Sequence, residues 1–270
     1  MKTKILFIQL LLFQLTLFAQ DKGVVNYGQL ESMGMGAPIG QDYNSVLIFN
    51  STKSLYIVRN DSLENQHIHK QERVEFGDDI YVRTKATNSY GLRYFIDLKS
   101  DSLFSRDIGF TYVKEKKPKI EWIITNLTKK IGRYECRKAE AEFRGRNYTA
   151  WFTTEIPLPF GPWKLQGLPG LILEAYDTDK EVYFYFKKIK YPSQTNIKIE
   201  RPTKQPEQSW KKWMTFEEYK YDCITAHIRA INNGLMFSEN TDTSVIQENV
   251  KYNLKDSFIE NFEIKTSIKD

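Results

Sequence analysis

Along most of this chain, apolar and polar residues alternate with the period of a β-strand rather than a helix. Leu92, Tyr94 and Ile96 alternate with Arg93, Phe95 and Asp97, and a period of two sends each set to its own face of an extended segment. From Val46 onward such runs are short and separated by turn chemistry. Val46 to Phe49 leads through Asn50-Ser51-Thr52-Lys53 to Leu55 to Arg59. Lys99-Ser100-Asp101 leads to Leu103-Phe104. Phe110 to Val113 ends at Lys116-Lys117-Pro118-Lys119, before Ile120 to Ile124. The strongest hairpin joins Tyr134–Phe143 to Tyr148–Thr154 across Arg144-Gly145-Arg146-Asn147, where Gly and Asn tolerate positive φ. A second joins Leu171–Tyr176 to Val182–Ile189 across Asp177-Thr178-Asp179-Lys180. About ten strands with short connections predict a mainly β protein, a large antiparallel meander forming a curved sheet, an open barrel or a sandwich.

The period changes near the C-terminus. Pro192, Pro202 and Pro206 lie in a polar stretch that reads as a loop or edge crossing. Thr215-Phe216-Glu217-Glu218 then has the form of a capping box, in which Thr and Glu satisfy each other's free backbone donors. Phe216, Tyr219, Cys223, Ile224, Ala226, Ala230 and Ile231 fall in one arc at 100° per residue, ending at Asn232-Asn233-Gly234. One amphipathic helix, 215–233, is therefore expected to pack on the sheet. Residues 235–270 form a polar segment with few apolar residues before Phe258, Ile259 and Phe262. The expected organisation is a leader over 1–20, a single β-rich domain over 21–234, and this C-terminal segment.

The leader is read from its charge and hydropathy. Met1-Lys2-Thr3-Lys4 carries two cations and no acid, and Ile5 to Ala19 is almost uninterruptedly apolar. That run of about 15 residues is shorter than a bilayer span and fits a cleaved secretory signal, with cleavage near Ala19. No cysteine lies at the break to accept a lipid, so a protein with no stable membrane anchor, in the periplasm or outside the cell, is expected. Removing the leader lowers the net charge from +5 to about +3. With acids and bases interleaved, this balance argues against nucleic acid as a partner. Only Cys136 and Cys223 are present. One sits in a strand-like run and the other on the helix face, which favours two separate buried thiols over a bridge.

Few residues carry recognisable chemistry. His67-Ile68-His69 would place two imidazoles on one side of a strand, with Glu64 and Glu72 nearby, but two donors and a polar setting do not complete a metal site. His227 lies on the helix face and reads as a hydrogen-bonded core residue. Glu140 and Glu142 share a strand face near Glu135 and are read as a solvated edge rather than an acid/base pair. No nucleophile elbow, phosphate loop or zinc motif occurs. No catalytic residue, metal or cofactor is assigned, and enzymatic activity is disfavoured. Ser209-Trp210-Lys211-Lys212-Trp213-Met214 mixes indoles with cations; packing of the indoles on the sheet is favoured over membrane attachment.

The most distinctive segment is Trp151-Phe152-Thr153-Thr154-Glu155-Ile156-Pro157-Leu158-Pro159-Phe160-Gly161-Pro162-Trp163-Lys164-Leu165-Gln166, followed by Gly167-Leu168-Pro169-Gly170-Leu171-Ile172. Pro157, Pro159 and Pro162 withhold ladder donors and hold an extended path outside a sheet. Pro169 and Gly170 occupy the central positions that a type II turn demands, which would put Gly170 at positive φ. Trp163 is either a buried anchor or an exposed contact. Gly167 to Ile172 spells the motif of the GLPGLI family, and the Trp-Phe-Thr, Ile-Pro and Gly-Pro-Trp-Lys elements before it also resemble that family. The resemblance implies an exported Bacteroidota-type protein and assigns no activity. The segment is thus expected to be a structural turn and a candidate binding loop.

The function expected is that of a non-enzymatic binding or accessory protein of the cell envelope. Its sheet face or proline-rich loop would hold an apolar or peptidic ligand, or an outer-membrane or periplasmic partner. The alternative is an envelope hydrolase whose site is assembled from distant loops.

Overall fold

The computed structural model describes residues 22–65, 72–76, 79–83, 85–236 and 259–262. The expected leader and the His67-Ile68-His69 triplet lie outside the described residues. The first half of the chain supplies β1 (Gly23–Glu31), β2 (Gln41–Phe49), β3 (Lys53–Val58), a short helix α1 (Asp61–Glu64), β4 (Glu72–Phe76), β5 (Asp79–Arg83), β6 (Leu92–Asp97), β7 (Ser102–Asp107) and β8 (Thr111–Lys116). The second supplies β9 (Ile123–Ile131), β10 (Tyr134–Phe143), β11 (Arg146–Thr153), β12 (Leu171–Asp177), β13 (Val182–Lys190), β14 (Trp213–Met214) and a helix α2 (Phe216–Met236).

Twelve of these strands form one unclosed sheet in the order β14-β8-β7-β6-β3-β2-β1-β13-β12-β11-β10-β9, and β4 and β5 pair separately. The sheet is two antiparallel meanders joined edge to edge: β1 and β13 pair from Val24–Lys190 to Glu31–Val182. β14 adds to β8 in parallel, so the sheet is mixed. This is the mainly β architecture the periodicity predicts, with the C-terminal helix packed on it.

The β10–β11 hairpin shows how locally the sequence directs the fold. Its turn is the two residues Arg144 and Gly145, both at positive φ (52° and 74°), with Phe143 opposite Arg146. Those are the dihedral signs of the type I′ turn that matches strand twist. Along β10, buried and exposed residues alternate almost without a break.

β1 is not evident in the hydropathy pattern, because Gly23, Asn26, Gly28 and Gln29 interrupt it. The reason is steric. A Cβ on Gly28 would lie 2.0 Å from Cζ of Tyr185, its cross-strand neighbour, so an aromatic ring covers the glycine in place of a side chain. The strand expected at Ile120–Ile124 is shifted to Ile123–Ile131 and forms one edge of the sheet. An edge strand buries little, so its pattern carries little periodicity.

The sheet is strongly curled. Tyr94 on β6 and Phe143 on β10 are seven strand positions apart, roughly 33 Å in a flat sheet. Yet their rings lie 6.4 and 5.7 Å from the Trp163 indole, which places the two rings within about 12 Å of each other. Curvature of that degree follows from accumulated strand twist and from the bulges at Asn26/Tyr27, Arg137/Ala139 and Trp151/Phe152. The main core fills the inside of the curl. A smaller cluster of Val46, Ile48, Leu55, Ile57 and Phe95 lies on the outer face, covered by Ile199 of the segment after β13.

Helix α2 begins with the expected capping box: Thr215 N donates to Glu218 Oε2 (2.7 Å) and Glu218 N to Thr215 Oγ1 (3.3 Å). It continues past Gly234 to Met236 rather than ending at Asn232-Asn233-Gly234. Among its described side chains, Tyr219, Cys223 and His227 are buried, one turn apart, whereas Ala226 is exposed. Of the C-terminal segment, Ile259 enters the main core and Phe262 packs edge-on against Phe216 and Tyr219.

Candidate functional site

The residues between β11 and β12 fold inward, inside the curled sheet. Ile156, Phe160, Trp163, Leu165 and Leu168 join the main core. The prolines that cannot serve a ladder hold this segment on its own path, and several of its backbone groups find partners around it. Leu171 N donates to Ile156 O (3.0 Å), Ile172 N to Phe160 O (2.9 Å), Gly167 N to Pro159 O (3.0 Å) and Leu165 N to Pro162 O (3.1 Å). The last bond closes a turn whose first central residue is Trp163, at φ 54°. A positive φ costs a residue with a Cβ about 1–2 kcal/mol. The indole recovers this by stacking on Phe184 (6.5 Å) and meeting Tyr94, Phe143 and Tyr148. Trp163, only 2% exposed, is thus the buried anchor of the two expected alternatives.

One expectation for this segment is corrected. Leu168–Leu171 is not a type II turn, because Leu171 N is taken by Ile156 O and the left-handed φ falls on Gly167 (97°) instead of Gly170. Gly170 is required for a different reason. A Cβ there would sit 2.1 Å from the Thr153 carbonyl oxygen, so the chain turning into β12 passes directly against the end of β11. Of the twelve motif residues, Trp151, Gly161, Pro162, Trp163, Leu168, Gly170, Leu171 and Ile172 are buried. Pro159 is half-buried, and Pro157, Gly167 and Pro169 face solvent.

Lys164 is fully buried beside Trp163. Its Nζ lies 2.9 Å from Glu260 Oε1, 3.4 Å from Asp107 Oδ2 and 3.8 Å from Glu115 Oε1. Arg144 pairs with Glu115 and, at 3.4 Å, with Glu260. Burial alone would lower the Lys164 pKa, but Glu260, Asp107 and Glu115 outweigh it and hold the ammonium above its usual range. A lysine nucleophile needs the opposite shift, towards the neutral amine. Lys164 is therefore an ionic tie between the inserted segment, the β7 and β8 strands and the C-terminal segment. Arg146 reinforces it by pairing with Asp177 (2.6 Å) and donating to Ile259 O (2.8 Å).

A separate groove lies where the two meanders meet. β12 and β13 pair only at Ala175–Phe184 and Tyr176–Tyr183. From Tyr185 to Lys190, β13 pairs with β1 alone. Along that open edge runs a groove of about 1040 Å³, walled by Phe186 to Thr195, Val24, Asn26, Arg133 and Tyr134. Phe186 and Ile189 pack towards the inner core, whereas Val24 belongs to the outer cluster and Asn26 and Lys188 are its same-side neighbours across the ladder. A cavity that touches side chains from both faces of a strand must follow its edge. Arg133, Lys187, Lys188 and Lys190 line it and no Asp or Glu does. Lys187 donates to Asn44 Oδ1 and Arg133 to Tyr134 Oη, so neither is neutralised by these contacts.

Comparison with known proteins adds little about activity. A family profile described as "Protein of unknown function (Porph_ging)" matches residues 142–174, which contain the inserted segment. No curated protein matches. Two crystal forms of PNGF-II share 17% identity with this chain, at TM-scores of 0.45 and 0.44, over 74% of this chain. The match takes in only 32% of PNGF-II, about a third of that protein's length.

The other residues singled out by the sequence are dispersed. Glu64 is buried, accepts from Asn44 N (2.6 Å) and pairs with Lys85 (2.6 Å). Glu72 lies in β4, in the separate hairpin. Glu135, Glu140 and Glu142 are exposed along β10, with Glu140 paired to Lys138. Trp213 packs edge-on against Phe104 and Tyr112 as expected, while Trp210 is 76% exposed. Among the described residues, no group of three or more His, Cys, Asp or Glu is placed to hold a metal, and no helix is long and apolar enough to cross a membrane. The groove was missed because its cations come from β13 (Val182–Lys190) and from Arg133 after Gly132, which are distant in sequence. The run Lys187-Lys188-Ile189-Lys190, with no acid within it, was the available signal.

Proposed function

We propose that this chain is an exported, GLPGLI-type accessory protein of the bacterial cell envelope, and that it holds an extended acidic ligand in the groove along β13. The lysine-led apolar leader motivates the export, and the Gly167–Ile172 motif within the profile-matched region motivates the family. The groove itself carries the binding reading: four cations and no carboxylate line its walls. Cations gathered without counter-charges repel one another and raise the local potential, which an anionic ligand relieves. The inside of the curl, by contrast, is filled by the chain's own Trp163 segment, so the ligand is assigned to the outer groove. Lys164, buried and held as an ammonium by its carboxylate partners, is not available as a nucleophile.

Calorimetry with poly-glutamate and poly-lysine tests this reading. Poly-glutamate is expected to bind, with affinity falling as salt rises, and Lys188→Glu/Lys190→Glu to abolish binding without lowering Tm. Equal binding of both polymers, or no binding of poly-glutamate, would refute it.

A further inference from the structure

The open edge of β13 is more than a charged wall. Between Tyr185 and Lys190, five residues pair with β1, Lys187 is the extra residue of the bulge opposite Asn26/Tyr27, and none pairs with β12, which leaves about 20 Å of strand edge facing the groove. Unpaired N–H and C=O groups on a strand edge form a template for another strand. The groove lies against this edge, and its far wall is Arg133 and Tyr134 of the β9–β10 turn.

The side chains on the two sides of the edge differ in chemistry. Phe186 and Ile189 lean to the inner core and Tyr134 is a core residue, whereas Lys188 and Lys190 are exposed on the other side. The bulge at Lys187 interrupts the pleat and brings Phe186 and Ile189 to the same side; along the regular stretch Lys188–Lys190, alternate residues of an added strand meet the two sides in turn. From this geometry we infer that the ligand is a peptide strand alternating apolar and acidic residues, added along Tyr185–Lys190 by β-augmentation. Its apolar residues face Phe186, Ile189 and Tyr134, and its carboxylates face Lys188 and Lys190. A polysaccharide could satisfy the cations but has no amide ladder to offer the edge. The inference rests on the groove being the binding site, and it specifies the class of ligand.

The test uses the full mature chain and the peptide acetyl-(Glu-Val)₄-amide, with two versions N-methylated at every Glu or at every Val. In a strand, alternate N–H groups point to opposite edges, so one methylated version should lose at least tenfold in affinity while the other binds like the parent. A block peptide, acetyl-Glu₄-Val₄-amide, should also bind at least tenfold more weakly. If both methylated versions match the parent, or an oligogalacturonate of equal charge binds as tightly as the peptide, strand addition is overturned while the acidic-ligand reading stands. If neither peptide nor oligogalacturonate binds, the groove is not the site and both readings fall.

Discussion

The two motif glycines 167 and 170 should respond very differently to alanine. At Gly170 the new Cβ would lie 2.1 Å from Thr153 O and 2.7 Å from Thr153 C. These are backbone atoms at the end of β11, so no side-chain rotation relieves the overlap and a strand must shift by about 1 Å. The shift strains Leu171 N to Ile156 O and Ile172 N to Phe160 O, the bonds that hold the inserted segment. A cost at the upper end of the overpacking range, about 3 kcal/mol, is expected. At Gly167 a Cβ meets nothing nearer than Trp122 Nε1 at 4.0 Å, so only the φ of 97° is penalised. That costs about 1 kcal/mol. For a domain of this size the two variants should melt about 6–12 °C and 2–4 °C below wild type, respectively. Thermal unfolding followed by circular dichroism separates them. Equal shifts, or a larger one for Gly167→Ala, would refute the close-approach account.

Three further outcomes follow from the buried groups. Lys164→Met removes the cation that three carboxylates share, leaving Arg144 to balance them, and should cost about 3–5 kcal/mol in urea unfolding; a neutral result would mean the cluster is not formed. Burial, with Asp107, raises the Glu260 pKa above its usual value against the pull of Lys164 and Arg144. The folded state therefore holds that proton more tightly, and the stability linked to it is greatest below pH 4.5 and declines as pH rises through the raised pKa. Relative to Glu260→Gln, wild type should gain Tm as pH falls from 7 towards 4.5, and a change of opposite sign would contradict the placement of Glu260. Cys136 and Cys223 are free and buried, each with its pKa pushed up to about 12, chiefly by burial. Iodoacetamide at pH 8 should leave both unlabelled in the native protein and label both after denaturation without reductant; rapid native labelling would show that the burial is wrong.

The fold was largely legible in the sequence because its elements are local. The Arg144-Gly145 turn, the Asp177–Lys180 connection and the Thr215/Glu218 box all show in a few adjacent residues, and β10 alternates along its length. What escaped depends on contacts between distant residues. β1 hides behind glycines whose covering rings come from Phe49 and Tyr185. The burial of the 154–170 segment follows from sheet curvature, which no single strand encodes. Nothing adjacent in sequence marks Lys164 as buried; its partners Asp107, Glu115 and Glu260 are all distant along the chain. The groove exists only because β1 joins the last strand of the second meander and β12 peels away from β13 after two pairs, a junction with no local signature.

Hydrogen exchange measured residue by residue, with and without saturating acetyl-(Glu-Val)₄-amide, bears most directly on the groove. Binding should slow exchange within Tyr185–Lys190, at the amides that β1 does not engage, with a weaker effect at Arg133 and Tyr134. It should leave the buried 154–170 segment unchanged. Saturable binding that protects other elements and leaves Tyr185–Lys190 exchanging as in the free protein would contradict the assignment of the β13 edge as the binding site.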